Sequence, residues 1–339
     1  MDTPLPWLNA TIAGIRDLTP TVREFTLRPD TPAAGWTVGS HLKVRIAPGQ
    51  GSTEERHYSL VGLPVRGAPW RIAVKRVEPS RGGSAWMWSL RIGEELQVQG
   101  PRNHFELSTS APQTLVVAGG IGITPLVGMA LTLAARGTDM RMLYAARDDA
   151  EFAYADELRH ALGDRLATYS SARGQHIDLD GAVAALHPDA QLLICGPHGM
   201  LEATQAAWAR AGRNPARLRF ENFGSGGASP AETFWVELPR HKLRFEVDAN
   251  TTLLDALEAH GVAMLSDCLR GECGLCTVDV LEVKGRLDHR DLFLDEAERR
   301  AGKRICACVS RVCGGGVVLD SAYRPEASDT AHPREETLS

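Results

Sequence analysis

The stretch CLRGECGLC, Cys268 to Cys276, places three cysteines at the spacing C-x4-C-x2-C. Two irons bridged by sulfides need four thiolates. A compact loop of this kind supplies three of them, as in plant-type 2Fe-2S proteins with a distant fourth cysteine. Gly271 and Gly274 let backbone N–H groups turn inward toward cluster sulfurs, where such hydrogen bonds help set the reduction potential. A zinc site would need a second short chelating hook, and Cys306, Cys308 and Cys313 make a poor one. Of the seven cysteines, six lie between positions 268 and 313. In a reducing compartment such crowding points to a metal site. Cys195 and Cys313 read as ordinary buried thiols. On spacing alone the fourth ligand is Cys306 or Cys308.

Around this loop, FWVELP and KLRFEV read as two strands joined by a short turn, TLLDALEAHG as a helix and TVDVLEV as a further strand. A hairpin, a helix and more strands fit a β-grasp domain over residues 233–320, followed by a polar tail, 321–339, that reads as disordered. Upstream, GSGGASPAE marks a Gly/Ser linker at 225–232. Before it, residues 111–224 alternate strand and helix patterns: TLVVAGG, ITPLVGMALTLAARG, MRMLYAAR, FAYADELRHALG, RLATYSS, QLLICGP and MLEATQAAWARAG. That alternation implies a doubly wound parallel sheet. Residues 8–110 contain VREFTLRP, HLKVRIAP, WRIAVKRV and EELQVQGP, short alternating runs punctuated by Gly and Pro, plus one helix in SAWMWSLRIG. They suggest an antiparallel barrel or sandwich.

Composition narrows the function. With 43% hydrophobic and 23% charged residues the chain is ordinary globular material, and its net charge of -5 argues against nucleic-acid binding. No run approaches the roughly 20 apolar residues of a membrane helix. The beginning, MDTPLPWLNATIAGIRDLTP, lacks a basic segment followed by an apolar one, so a cytoplasmic location with no membrane association is expected.

Three further motifs carry chemistry. RHYSL (Arg56 to Leu60) ends a strand, where an arginine can pair with a phosphate and a hydroxyl or backbone donor can face a flavin nitrogen. Val74 and Lys75 lie in VKRVEPSRGGSAWMWSL, in which Arg81, Gly82, Gly83 and Ser84 open a helix whose free N–H groups suit a phosphate. GGIGITP (Gly119 to Pro125) follows a buried strand and opens a helix, and CGP (Cys195 to Pro197) stands after another buried strand. The first is not G-x-G-x-x-G. Two glycine turns at the carboxyl ends of strands in one sheet nevertheless point to a cofactor site.

Together these motifs resemble the phthalate dioxygenase reductase and vanillate demethylase reductase family of the ferredoxin–NAD(P)+ reductase superfamily. The resemblance runs from about residue 8 to residue 320. It implies an antiparallel flavin-binding β-barrel, a doubly wound parallel nicotinamide domain and a C-terminal plant-type ferredoxin domain. Arg56, Tyr58 and Ser59 match the family's R-x-Y-S flavin motif, with His57 packing beside the isoalloxazine. Arg81, Gly82, Gly83 and Ser84 match the segment that holds the FMN phosphate. Gly120, Gly122, Thr124 and Pro125 match its G-x-G-x-T-P turn. Cys195, Gly196 and Pro197 match the CGP turn near the nicotinamide, and Phe223 matches the aromatic residue near the flavin. The final cysteine of the family is followed by V-S-R or C-S-R, and LDHRDLFLDEAE resembles its HRD segment. Both features move the fourth ligand to Cys308, beside Cys268, Cys273 and Cys276.

The resemblance implies an enzyme that passes electrons from NADH through FMN and a 2Fe-2S cluster to the terminal component of a Rieske-type oxygenase. Ser59, Thr124 and Phe223 are the expected residues at the flavin–nicotinamide contact. Arg147 could serve a phosphate, whereas Asp148 and Asp149 beside it would repel the 2'-phosphate of NADPH and favour NADH. A monomer is expected. A different acceptor, a di-iron monooxygenase or a cytochrome P450, is the alternative; so is a non-catalytic iron–sulfur carrier.

Overall fold

Period-two patterning builds the first sheet of the computed structural model, which describes residues 5–31, 35–49, 52–78, 82–223, 232–249 and 251–320. Arg81, most of the 225–232 linker and the 321–339 segment lie outside the described residues. Strands β1 (Trp7–Asp17), β2 (Val22–Pro29), β3 (Ser40–Gly49), β4 (Ser52–Ser59), β5 (Trp70–Lys75) and β6 (Glu95–Asn103) form a six-stranded antiparallel sheet in the order β4-β3-β6-β1-β2-β5. An antiparallel bridge between Leu60 and Ile72 links its two edge strands into a barrel. Alternate residues such as Phe25 and Leu27, Leu42, Val44 and Ile46 fill the interior and are almost wholly buried. Burial of each such side chain stabilises by about 1.5–3 kcal/mol. Helix α1 (Gly83–Ser89) lies between β5 and β6 in the chain and inserts Met87 into that core.

The second sheet is parallel throughout: β7 (Gln113–Gly119), β8 (Asp139–Ala146), β9 (Leu166–Ser170), β10 (Gln191–Cys195) and β11 (Leu218–Glu221), ordered β11-β10-β7-β8-β9. Helices α2 (Ile123–Ala135), α3 (Ala155–Leu162), α4 (Leu179–Ala184) and α5 (His198–Arg210) connect the strands. The chain builds outward from β7 in one direction and from β10 in the other, so the topological switch point falls between those two strands. Helix α2 is apolar nearly all round, because one side covers the sheet and another meets the barrel. A Cβ at Gly128 would overlap the Gly62 carbonyl oxygen of the barrel. Glycine here is what permits that backbone approach.

The described residues between 232 and 320 form a separate compact unit. In it β12 (Phe234–Leu238), β13 (Leu243–Val247), β14 (Thr277–Asp288), β15 (Arg304–Cys306) and β16 (Arg311–Asp320) make a mixed sheet, β13-β12-β16-β14-β15, with β12 and β16 parallel. Helix α6 (Leu253–Ala259) packs Leu253, Leu254 and Leu257 into its core. Thr252 caps that helix by accepting from the Asp255 N–H at 3.0 Å. Helix α7 (Glu296–Ala301) opens with a capping box between Asp295 and Glu298.

The parallel sheet and the β-grasp order follow the sequence patterns. Several elements escape them, among them β11, β16 and α7. In β1 the register shifts between Ile12 and Gly14, so the alternation breaks midway. Helix α4 is short and carries Gly181, and β15 has three residues only.

Candidate functional site

The cysteine loop joins α6 to β14. Its backbone enters left-handed conformations at Leu269, Gly271 and Gly274, with φ of 53°, 73° and 73°. These turns curl the chain so that the N–H groups of Arg270, Glu272 and Cys273 all donate to Cys268 Sγ at 3.4 Å. A sulfur meeting three donors is held as a thiolate. Cys268 and Cys276 are buried and Cys273 half-buried. The fold also brings Cys306 and Cys308 to the loop: Cys308 faces both Cys268 and Cys276, and Cys306 faces Cys276. The Cys308 thiol, assisted by the three N–H groups, brings Cys268 down to about 4. The Cys306 and Cys308 thiols bring Cys276 down to about 3. Such a crowded set of sulfurs suits a site where irons compensate the thiolate charge.

The loop is braced from behind. A Cβ at Gly271 would fall 2.6 Å from Val309 and 2.8 Å from the Asp291 backbone. The Leu292 N–H donates to Gly271 O at 2.9 Å. Asp291, fully buried, accepts from the Ser310 hydroxyl at 2.9 Å and the Leu294 N–H at 2.9 Å. Burial alone would raise this carboxyl, but the nearby His289 imidazole, 3.6 Å away, and the hydrogen bonds from Leu294 and Ser310 outweigh it and hold it below its ordinary value. The HRD segment is thus a scaffold for the cysteine loop and for the turn that carries Cys308.

In the first unit, strand alternation sorts the RHYSL motif. Arg56 and Tyr58 pair with Val44 and Leu42, on the same face as those core residues. Arg56 extends along α1, so that a Cβ at Gly83 would lie 3.3 Å from its Nε, and its guanidinium is ion-paired with Glu54. Two motifs well apart in sequence therefore meet, Arg56 and the Gly82–Ser84 helix start. Ser84 Oγ accepts from the Val77 N–H at 3.2 Å. Burial raises Tyr58 to about 12. His57 falls on the opposite face, its ring 5.0 Å from that of His41, which in turn stacks at 5.4 Å on His104. Val74 is buried in the barrel core, and Lys75 ends β5 with its Nζ 4.0 Å from a Cβ built at Gly120.

The two glycine turns meet across the switch point. A Cβ at Gly122 would collide with the Cys195 carbonyl and fall 2.7 Å from Gly196 N. One at Gly119 would fall 2.5 Å from Pro197. Gly119 and Gly122 are required first by this backbone-to-backbone packing. Thr124 is buried and donates to Ile121 O at 3.0 Å, tying the turn to the start of α2, where Pro125 is also buried. Phe223 packs on the edge of the nucleotide-domain core. Two residues before it stands Glu221, buried, whose Oε2 accepts from Ser59 Oγ at 3.3 Å. Sequence reasoning passed over Glu221; its signal was a carboxylate at the end of a parallel strand, next to Phe223. Arg147 follows β8, with its carbonyl accepting from the Ala172 N–H at 2.8 Å. Asp148 caps the next turn by accepting from the Ala150 N–H, and Asp149 is ion-paired with Arg173. Asp149 is therefore balanced by Arg173, which weakens the electrostatic case against a 2'-phosphate.

Three family models cover the chain in order: an oxidoreductase FAD-binding domain over residues 9–107, an oxidoreductase NAD-binding domain over 116–206 and a 2Fe-2S iron-sulfur cluster binding domain over 236–313. The solved structure of phthalate dioxygenase reductase, described as a modular structure for electron transfer from pyridine nucleotides to [2Fe-2S], matches with a TM-score of 0.73 at 30% identity, covering 93% of this chain and 98% of that one. The chain belongs to the phthalate dioxygenase reductase family. Its heme-dependent oxidative N-demethylase beta subunit relative from Ectopseudomonas mendocina is 36% identical over 92% of this chain and 98% of the relative. The phenoxybenzoate dioxygenase subunit beta of Ectopseudomonas oleovorans is 41% identical over 85% and 88%. An intact type IV self-sufficient cytochrome P450 monooxygenase matches at 34% identity and a TM-score of 0.65 over 95% of this chain; the chain spans only 42% of that protein's length.

As a member of the phthalate dioxygenase reductase family, the protein is an NADH-dependent flavin and iron–sulfur oxidoreductase, the reductase component of an oxygenase system. Its barrel, parallel sheet and β-grasp unit are the flavin, nicotinamide and ferredoxin parts of that family's architecture. Among the described residues no helix is long and apolar enough to cross a membrane.

Proposed function

We propose that this reductase delivers electrons, taken from NADH by way of FMN and a 2Fe-2S cluster, to the terminal component of a Rieske-type oxygenase that hydroxylates or demethylates an aromatic substrate. The observation that carries this reading is the match to phthalate dioxygenase reductase over nearly the full length of both chains. When bound, the flavin accepts an electron pair from NADH and the cluster relays single electrons. The chain's own residues position and tune.

Cys268, Cys273, Cys276 and Cys308 hold the cluster; the position of Cys308 against two loop cysteines supports it over Cys306. Arg56 with Arg81, Gly82, Gly83 and Ser84 holds the FMN phosphate, supported by the approach of Arg56 to Gly83. Tyr58, Ser59, Val74 and Lys75 border the flavin ring, with His57 behind them. Ser59 holds its hydroxyl proton toward the buried Glu221 carboxylate and would present its oxygen to the edge of a bound flavin. Gly120, Gly122, Thr124, Pro125, Cys195, Gly196, Pro197 and Arg147 line the nucleotide side, and Phe223 covers the flavin face. The domains run 8–110, 111–224 and 233–320, joined by the 225–232 linker. The protein is a cytoplasmic monomer without membrane association.

A heme acceptor is the second reading, favoured by the N-demethylase and P450 relatives. Anaerobic mixing separates the two. The NADH-reduced protein is mixed with a purified Rieske oxygenase or with a purified P450 heme domain, following the Rieske or Soret band. Rapid oxidation of the reductase by the first and not the second supports the proposal; the reverse overturns it.

A further inference from the structure

Between β8 and α3 the chain runs through a one-turn helix, Asp149–Glu151, and then Phe152, Ala153 and Tyr154. Each end of this segment is tied to the flavin barrel. Glu151 Oε2 accepts from the Thr21 hydroxyl at 2.5 Å and the Thr19 hydroxyl at 3.3 Å, both in the turn between β1 and β2. Tyr154 donates its hydroxyl to Glu24 Oε2 on β2 at 2.8 Å. Glu24 is buried and is further paired with Arg16 at 3.1 Å and Arg71 at 3.6 Å. Arg71 also reaches Glu157 of α3 at 3.7 Å.

The middle of the segment is tied to the nucleotide side. Phe152 meets Tyr144 edge-on at 5.0 Å, and the Ala153 N–H donates to the Glu151 carbonyl at 3.0 Å, which closes the turn that carries Phe152. The Tyr144 hydroxyl donates to Gly120 O, at 3.3 Å, in the first glycine turn. A continuous series of contacts therefore runs from Glu24 in the barrel through Tyr154 and Tyr144 to Gly120. Tyr154 holds φ of 62°, a left-handed conformation that a bulky residue adopts only where its surroundings enforce it. A strained residue, a buried carboxylate and a satisfied phenol in one path are more than two packed domains require.

We infer that residues 149–154 form a strap that sets the distance between the flavin barrel and the glycine turn, which makes Tyr154, Glu24 and Tyr144 positioning residues for the NADH-to-flavin step. None of them touches the reacting atoms. Transfer between two rings falls off steeply with misplacement, so a small loosening of the turn is felt in rate before it is felt in affinity. The inference rests on the placement of the nicotinamide at the glycine turn.

Stopped-flow mixing of fully loaded protein with NADH tests it, with flavin and iron contents measured for every variant. Tyr154→Phe and Tyr144→Phe are expected to slow flavin reduction at saturating NADH about fivefold to tenfold, with the Kd for NADH changed less than twofold. Glu24→Gln keeps an oxygen that accepts from Tyr154 and is expected to stay within about twofold of the parent, whereas Glu24→Ala slows like Tyr154→Phe. A purely structural role would lower Tm and leave the saturating rate intact. A loaded Tyr154→Phe protein with the parent rate, or one whose slowing is removed by more NADH, overturns the inference. If Tyr154→Phe does not load flavin, Thr21→Val, which cuts the other tether, is read against the same criteria. Failure of the underlying placement is distinguishable: Thr124→Ala would then reduce its flavin like the parent, whatever the strap variants do.

Discussion

The cysteine loop and the proposed flavin–nicotinamide region bring their residues together by opposite means. The loop draws three of its four proposed ligands from nine consecutive residues and shapes them with local backbone turns at Leu269, Gly271 and Gly274. The other region is assembled from strand ends in two sheets: Ser59 from β4 against Glu221 from β11, Lys75 from β5 near Gly120 after β7, Gly122 against Cys195 at the end of β10. A site confined to one loop can tolerate change elsewhere, as long as its scaffold stands. A site spread over two sheets depends on how those sheets are held together.

The sharpest way to break the comparison is to remove a loop ligand. Cys276→Ala should abolish the cluster's visible and EPR signals and cut electron delivery to a protein acceptor by more than about a thousandfold, while NADH still bleaches the flavin. Cys306→Ala should keep both cluster signals; their loss would move the fourth ligand to Cys306. Next in size is Ser59→Ala. It deprives Glu221 of its hydroxyl partner and should slow flavin reduction about tenfold to a hundredfold in stopped flow, with cluster content unchanged.

Gly271→Ala puts a methyl group against Val309 and the Asp291 backbone at positive φ. It should destabilise the ferredoxin unit by about 1–3 kcal/mol, read as earlier cluster loss in a denaturant titration with the flavin retained. The smallest effect is expected at the end of β8. Asp149→Asn frees Arg173 from its ion pair and should shift the NADPH-to-NADH ratio of kcat/KM upward by less than about fivefold, because the pair is exposed and screened. A much larger shift would make Asp149 the main nucleotide discriminator.

Legibility follows the same division. The C-x4-C-x2-C spacing, the strand–helix alternation of 111–224 and the two glycine turns are local patterns, visible because period and spacing are properties of the chain itself. The reason those glycines are there was only half visible: Gly122 answers to the Cys195 carbonyl, some seventy residues away in sequence. His57 sits within a flavin motif, yet strand alternation turns it toward His41. The contacts of Glu221 with Ser59, and of Glu151 and Tyr154 with the barrel, had no signature in the chain.

By itself, then, the amino-acid sequence determined the three-part architecture, the cysteine loop and the strand ends proposed to receive the cofactors. These depend on hydrophobic period, turn residues and ligand spacing, all of which act over a few residues. Only the tertiary structure decided which partners those residues meet: Arg56 with Gly83, Ser59 with Glu221, Cys308 with both Cys268 and Cys276, Tyr154 with Glu24. The physical reason is that burial makes a polar or charged group seek its partner across space, and sheet order, not chain order, chooses which partner lies within reach.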